Sequence, residues 1–395
     1  MGLLVLLVSA CSVRTLRVGT SGDYPPFSVQ EEGGTRHGFD ISVARAYARD
    51  RGLALEVVPF SWPELEDALL SGKFDVAMSG VTVRGDRLVR GPMTSSVARA
   101  DAIVLVRDGR SGAEIDREGV VVAVNRGGHL EKLARARFRH ATIRTVDDNQ
   151  SLPALLGGRR VHAVVTDTLE VKSFEAFDTE VKEVLARDRK AYWVTPARPE
   201  LALDLNQWIG ARAADRWLET ERNVWMDDPQ RSTLPVDDAA LVDHIAQRLM
   251  LMPLVAEVKR AKGLPVEAPG REEVIEEKSR AAATRAGLDP TSYLGFVRAE
   301  IEAAKNVQRA VLAGAVSMNA SDLPDLSSDI RPAIDRIDVA IRMTLLWAAP
   351  VESSVDDLVA ALRLDARVPG LDDESLRAIA RAARAIPAPA RQPTS

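Results

Sequence analysis

The chain of 395 residues holds one cysteine, Cys11, and that scarcity excludes two architectures at once. No internal disulfide framework can form, and no cysteine-based zinc site can be completed. The five histidines, His37, His129, His140, His162 and His244, are scattered, so no metal is implied, and no cofactor is expected. Positive charge is not in excess either. Against 57 acidic residues stand 52 lysines and arginines, a net charge of −5, which leaves no basic stripe to release counterions from nucleic acid. Aromatic residues make up 5% of the chain, with no arginine-aromatic patch for single strands, and nucleic acid is not an expected partner. Long apolar runs are missing too, since the N-terminal one is far too short to span a bilayer. The remaining content, 46% hydrophobic in a length beyond one ordinary core, predicts a globular chain of two or three domains.

Along residues 14–226 short apolar runs alternate with amphipathic stretches, the pattern of a mostly parallel sheet with helices on both faces. Strands are predicted over 16–19, 55–58, 75–78, 102–106, 120–124, 142–146 and 162–165, and helices over 40–51, 62–71, 130–139, 152–156 and 199–217. The glycine-bearing stretch 108–112 interrupts this rhythm and suits a crossover between lobes, so a bilobed α/β clamshell is expected. Residues 227–235, DDPQRSTLP, lose periodicity and read as a linker. From 236 to 387 strand signals vanish and apolar residues recur at three- and four-residue spacing, which predicts an all-α domain. Breaks are expected at 263–270, 287–290, 321–328 and 369–370, with a kink at Pro253, and 388–395 read as a disordered tail.

Within the helical half, Arg248, Lys259, Arg271 and Gln308 are spaced 11, 12 and 37 residues apart. Eleven residues make three helical turns, which puts Arg248 and Lys259 on one face of one helix. Gly263, Pro265, Pro269 and Gly270 stop that helix, so Arg271 opens the next, and Gln308 belongs further on with Ala304 one turn before it. Brought together, three cations and an amide can close around a small dianion. Periodicity alone leaves open a solvated bundle in which these cations pair with surface glutamates.

The four positions resemble, residue by residue, those that line the substrate cavity of the all-helical chorismate mutases. The secreted subclass takes a further arginine from a later helix; Ile330-Arg331-Pro332 resembles that segment and makes Arg331 a fifth candidate. Glu272 matches a carboxylate that some members set on the substrate hydroxyl, and Ala304 stands where many carry a hydroxyl. The resemblance implies conversion of chorismate to prephenate, a rearrangement in which an ether bond breaks as a carbon bond forms, without proton transfer. A protein accelerates such a step by holding a compact conformer and stabilising polarised charge. Arginine forks suit the two carboxylates, and Lys259 and Gln308 would donate to the ether oxygen. Because an amide has no protonation state to lose, a broad pH range is expected.

Residues 14–226 carry Gly19-Thr20-Ser21-Gly22-Asp23-Tyr24-Pro25-Pro26-Phe27, Gly38-Phe39-Asp40, Ser61-Trp62-Pro63, Asp75-Val76-Ala77-Met78-Ser79-Gly80, Asn125-Arg126-Gly127-Gly128 and Thr166-Asp167-Thr168-Leu169-Glu170. These segments resemble the amino-acid-binding family of periplasmic solute-binding proteins and, within it, the cyclohexadienyl dehydratases. Arg87, in Thr82-Val83-Arg84-Gly85-Asp86-Arg87, matches the arginine that clasps a ligand carboxylate. Asn125, Gly127 and Gly128 precede a predicted helix, whose backbone amides and dipole would hold a second carboxylate. His129 departs from the small hydroxyl residue common there. The resemblance implies that Tyr24 and Trp62 stack on the substrate ring, with Ser79 and Thr82 also in the binding set.

Glu170 separates an enzyme from a binder. Prephenate becomes phenylpyruvate by losing carbon dioxide and a ring hydroxyl, and hydroxide leaves only if an acid protonates it. Burial near Tyr24 and Trp62 would raise the Glu170 pKa and supply that acid. A glutamate there could equally bind a ligand ammonium, which would make this half a transport or sensing receptor, and arogenate remains open as a second substrate.

Residues 1–11, MGLLVLLVSAC, end in Val8-Ser9-Ala10-Cys11, which resembles the lipobox of bacterial lipoproteins. Residues 1–13 then read as an export segment, with Cys11 lipidated and the protein periplasmic or exported, tied to the membrane by that lipid. The alternative is a buried first strand with a small apolar cysteine. The expectation is therefore an exported bifunctional enzyme acting on chorismate and prephenate, against a lipid-anchored binding protein fused to a mutase, or a scaffold with two decayed sites.

Overall fold

The computed structural model describes residues 14–107, 114–226, 232–314 and 323–389. Cys11 with the rest of the export segment, the 108–112 stretch, and parts of the predicted linker and tail lie outside the described residues.

The first lobe is built on β1 (Thr15–Thr20), where Leu16 and Val18 are buried. A small meander follows, β2 (Asp23–Tyr24), β3 (Ser28–Gln30) and β4 (Arg36–His37), then α1 (Phe39–Asp50), β5 (Ala54–Pro59), α2 (Leu65–Leu70), β6 (Val76–Ala77) and α3 (Gly85–Arg90). Both β5 and β6 pair with β1 in parallel. The second lobe holds β7 (Ala98–Arg107), β8 (Val121–Asn125), α4 (His129–Arg137), β9 (Thr142–Val146), α5 (Leu152–Gly157), β10 (Ala163–Asp167) and β11 (Thr179–Lys190), in sheet order β11-β7-β10-β8-β9. The chain returns to the first lobe as β12 (Trp193–Val194), antiparallel to β6, and closes with α6 (Pro199–Ala214) and α7 (Trp217–Trp225). The helix predicted over 199–217 ends at Ala214, and Arg216, in the left-handed region at φ 64°, turns the chain into α7, which the sequence rhythm did not announce.

The lobe crossing is not at 108–112, because β7 and β8, which that stretch joins, lie in the same sheet. The chain crosses just before β7 and returns at the end of β11, and these two strands run antiparallel from Arg107 opposite Thr179 to Ala98 opposite Lys190. A chain that leaves and re-enters a lobe through one hinge must bring oppositely directed strands together there. That is why the sheets are less parallel than the sequence rhythm suggests.

The helical half comprises α8 (Val236–Met250), α9 (Met252–Lys262), α10 (Pro269–Ala286), α11 (Pro290–Ala313), α12 (Arg331–Ala348), α13 (Val355–Asp365) and α14 (Asp373–Arg384). Pro253 makes a break rather than a kink. It sits in the first turn of α9, where a missing amide costs nothing, and Leu251 separates α8 from α9. Arg248 and Lys259 therefore stand on two helices, not one.

The helical half is packed into the clamshell. One apolar core combines Phe60, Leu69, Phe74, Leu88 and Trp193 of the first lobe with Leu241, Ile245, Leu249 and Met252 of α8 and α9. Helix α8 also grips both crossing strands. Asp243 accepts from the Ser96 amide at 2.6 Å and the Ser96 hydroxyl at 2.7 Å, and pairs with Arg189 at the end of β11. Gln247 donates to the Thr94 carbonyl at 2.9 Å. From α13, Asp365 pairs with Arg99 on β7.

Burial pushes the Asp243 carboxyl up, but Arg189, His244 and Ser96 outweigh it and hold it below the ordinary range. Asp243→Ala leaves the Arg189 charge buried without its partner, a change that costs roughly 3–5 kcal/mol. A corresponding loss in denaturant unfolding is expected, with a smaller one for Asp243→Asn, and equal stability of the alanine variant and wild type would refute the clamp.

Candidate active sites

The space between the lobes is small, about 40 Å³, and its walls are charged. Glu170 follows β10 and is 4% exposed. Its Oε1 accepts from the Asn149 side-chain amide, and its Oε2 lies 2.5 Å from the Thr166 hydroxyl. Burial raises its pKa well above the ordinary glutamate value, and neighbouring Asp167 raises it further, while Thr166 and Lys190 pull against them. A buried carboxyl beside another carboxylate holds its proton.

Lys190, at the end of β11, is the residue that sequence reading missed. It is 2% exposed, yet its Nζ lies 3.1 Å from Asp167, donates to the Thr82 hydroxyl at 3.0 Å and stands 5.3 Å over the Tyr24 ring. Tyr24 in turn donates to Asp167 and meets Trp62 edge to face, with centroids 5.7 Å apart. The Arg87 guanidinium donates to the Thr82 carbonyl at 2.8 Å and stacks 5.5 Å from Trp193. Burial lowers its pKa to about 10, so it stays charged at neutral pH. Asn125 lines the same space, and its buried Nδ2 has no partner among the described residues.

Of the clamshell candidates, Tyr24, Trp62, Thr82, Arg87, Asn125, Gly128 and Glu170 line the cleft, and Ser79 and Gly127 do not. Ser79 is spent beneath it on the Ser21 hydroxyl, at 2.9 Å. The Gly127 amide, expected to face an anion, donates instead to the Glu131 carboxylate one turn into α4, at 2.6 Å. Gly127 serves packing: at φ 75° any Cβ would come within 2.7 Å of Pro63. His129 lines the cleft with its Nε2 3.1 Å from Asp188.

In the helical half a cavity of about 670 Å³ gathers Arg248, Lys259, Arg271, Glu272, Ala304, Gln308 and Arg331 from five helices. All six helical-half candidates line it. So do Lys278, Arg285, Lys305 and Arg342, which sequence reading did not single out, and the carboxylates Asp335 and Asp338. Cations outnumber carboxylates, eight to three. Such a lining suits a small dianion.

Arg248 is buried and donates to Asp338 at 2.9 Å, while its Nη1 has no partner among the described residues. Burial works against its charge, but Glu300 and Asp338 override that and raise its pKa. Burial pushes Glu300 itself up to about 7. Gln308 is also buried; its Oε1 is unpartnered, and its amide nitrogen reaches only the Met252 sulfur, at 4.0 Å. Unmet polar atoms of this kind cost about 1–3 kcal/mol each, a cost that a polar ligand in the cavity would remove. Burial lowers the Lys259 pKa, and Arg331 and Lys305 push the same way against Glu267 and Glu272. Lys259 donates to the Val266 carbonyl at 2.9 Å, Arg331 to the Ser327 hydroxyl at 3.2 Å, and Glu272 accepts from Lys305 at 3.1 Å.

A two-lobed α/β clamshell with a buried acid and two buried cations, joined to a helical bundle with a polycationic cavity, defines the class: a solute-binding fold fused to a second, small-molecule domain. Residues 16–228 match the bacterial extracellular solute-binding proteins, family 3, and residues 231–309 match chorismate mutase type II. The chain belongs to the first family and carries a domain of the second behind it. The match to the second ends before Arg331 and α12.

Among relatives, the cyclohexadienyl dehydratase of Pseudomonas aeruginosa is 29% identical over 230 residues, which cover 54% of this chain and 82% of that protein. The L-cystine-binding protein TcyJ of Escherichia coli is 26% identical over 218 residues, 53% of this chain and 82% of that one. Among solved structures, the ancestral amino acid-binding protein AncCDT-1, titled a precursor of cyclohexadienyl dehydratase, superposes with a TM-score of 0.51 at 29% identity, over 54% of this chain and 96% of that one.

Proposed function

We propose that the chain is an exported bifunctional enzyme whose helical half isomerises chorismate to prephenate and whose clamshell half converts prephenate to phenylpyruvate. The observation that carries the second assignment is Glu170: a buried carboxyl, its pKa raised, facing a cleft that also holds Arg87, Lys190 and an unpartnered Asn125 amide. The likeness to the cyclohexadienyl dehydratase of Pseudomonas aeruginosa and the dehydratase-like segments support the same reading, and the family's extracellular character supports export.

In the helical cavity, Arg248, Arg271 and Arg331 bind the two carboxylates and hold the compact conformer, and Lys259 and Gln308 donate to the ether oxygen as its bond opens. In the clamshell, Arg87 binds one carboxylate of prephenate and Asn125 receives the other, which departs as carbon dioxide. The electron pair of that bond enters the ring, the ring aromatises, and the hydroxyl leaves with the proton of Glu170. A space of about 40 Å³ admits no such substrate, so the lobes open about the strands that meet at Ala98 and Lys190 before it enters. The same reading extends to arogenate only if its ammonium finds a partner in the cleft.

A binding protein fused to a mutase is the second reading, favoured by the likeness to TcyJ. The ion pair of Lys190 with Asp167 leaves Glu170 as the carboxyl to receive a ligand ammonium, and burial together with neighbouring Asp167 favours its neutral form, which weighs against that pairing.

Purified protein supplied with chorismate separates these readings. Prephenate that rises and then falls as phenylpyruvate accumulates is the expected course. Accumulation of prephenate alone would leave the binding protein, and no product at all would leave a scaffold.

A further inference from the structure

The dehydratase step consumes a proton. Prephenate dianion and one proton give phenylpyruvate monoanion, carbon dioxide and water: the bond to the leaving carboxylate breaks into the ring, the carbon–oxygen bond breaks onto the oxygen, and that oxygen takes the Glu170 proton. Glu170 ends each turnover as a carboxylate and must regain a proton from solvent. With nothing bound the cleft offers only about 40 Å³, so once substrate or product occupies it the cleft face of the residue has no room for a file of waters.

Glu170 also lines a second cavity, of about 330 Å³. Glu170, Asn149 and Thr166 form its inner end, Leu152 and Phe174 its buried wall, and Gln150, Ala154 and Ser173 its exposed mouth. Asn149 belongs to both cavities. Its Nδ2 donates to Glu170, and its Oδ1, in a residue only 7% exposed, accepts nothing among the described residues. A buried amide oxygen beside a polar, roomy cavity is a ready acceptor for water.

We propose that this second cavity is the solvent port through which Glu170 is reprotonated, with Asn149 and Thr166 as positioning residues that hold the carboxyl between cleft and port. The inference rests on the dehydratase reading. It explains why an acid that must be dry enough to keep its proton can still recover it without the lobes opening.

Kinetics separate this route from a packing role. Decarboxylation is irreversible, so reprotonation falls after the steps that set kcat/KM and within those that set kcat. Ala154→Trp and Ser173→Trp narrow the mouth at exposed positions that do not line the cleft. For either, kcat for phenylpyruvate formation is expected to fall about tenfold, near 1.4 kcal/mol of barrier. Meanwhile kcat/KM holds within about twofold, the solvent deuterium isotope effect on kcat grows, and mutase turnover in the same preparation reports an intact fold. The port is overturned if kcat is unchanged in both variants, if kcat/KM falls in parallel, or if kcat falls with no change in the isotope effect. A wild-type chain that makes no phenylpyruvate sinks the dehydratase reading itself, before any variant is compared.

Discussion

Glu170→Gln is expected to lower phenylpyruvate formation from prephenate by about two to four orders of magnitude, the span that general acid catalysis contributes. The amide keeps the shape of the carboxyl and can still meet Asn149 and Thr166, so KM and fold should change little. What it cannot do is protonate a departing hydroxide. Chorismate turnover by the helical half should be untouched, which makes the variant its own control. The wild-type pH profile carries the same claim. Burial and Asp167 raise the Glu170 pKa, so the acid form, and with it activity, is present at low pH and lost as pH rises through the folded value. The linkage has the same direction: the folded chain binds this proton more tightly than the unfolded one, so stability from this group is full below the ordinary glutamate range and lost as pH climbs to the folded value. A glutamine variant with wild-type phenylpyruvate rates, or activity rising through that limb, would remove Glu170 from the acid role.

Lys190 shows why part of this site was hidden in the sequence. Strand β11, TEVKEVLARDRK, carries two irregularities in its register with β7, between Val181 and Glu183 and between Val184 and Ala186. Each bulge shifts the face on which the next side chain lands, so the period-two pattern that marks a strand is erased, and Val181 and Val184 end up about half exposed. A strand unseen hides the lysine at its end. Glu170, by contrast, follows β10, which opens on the apolar run Ala163-Val164-Val165, and the short motif around it was readable. One donor of the anion loop is lost for a local reason: Glu131 caps the Gly127 amide from within α4, while Asn125 and Gly128 still line the cleft, and a loop motif alone does not reveal which donors remain free. The docking of the two halves left no local trace at all. Asp243 and Arg189 are ordinary charged residues in sequence, and only the fold turns them into a buried pair.

The cationic set of the helical half was legible because its residues sit at helix positions fixed by short-range rules, and a helix break at Leu251 did not scatter them. Lys259→Ala is expected to reduce chorismate turnover by about 10²–10³-fold or more, the cost of deleting one preorganised donor to developing charge. Its hydrogen-bond partner among the described residues is a single carbonyl, that of Val266, so removing the side chain strands no buried carboxylate there and the fold should survive. Prephenate supplied directly should still yield phenylpyruvate. Lys259→Arg separates charge from placement: the fork restores the cation but not a compact ammonium at the same point, so partial activity is expected. Because burial, Arg331 and Lys305 all lower the Lys259 pKa, mutase activity should decline at alkaline pH sooner than an ordinary lysine would allow, which narrows the broad range expected from Gln308 alone. Near-normal chorismate turnover in the alanine variant would place the reaction elsewhere in the cavity and leave Lys259 as one more cation on its wall.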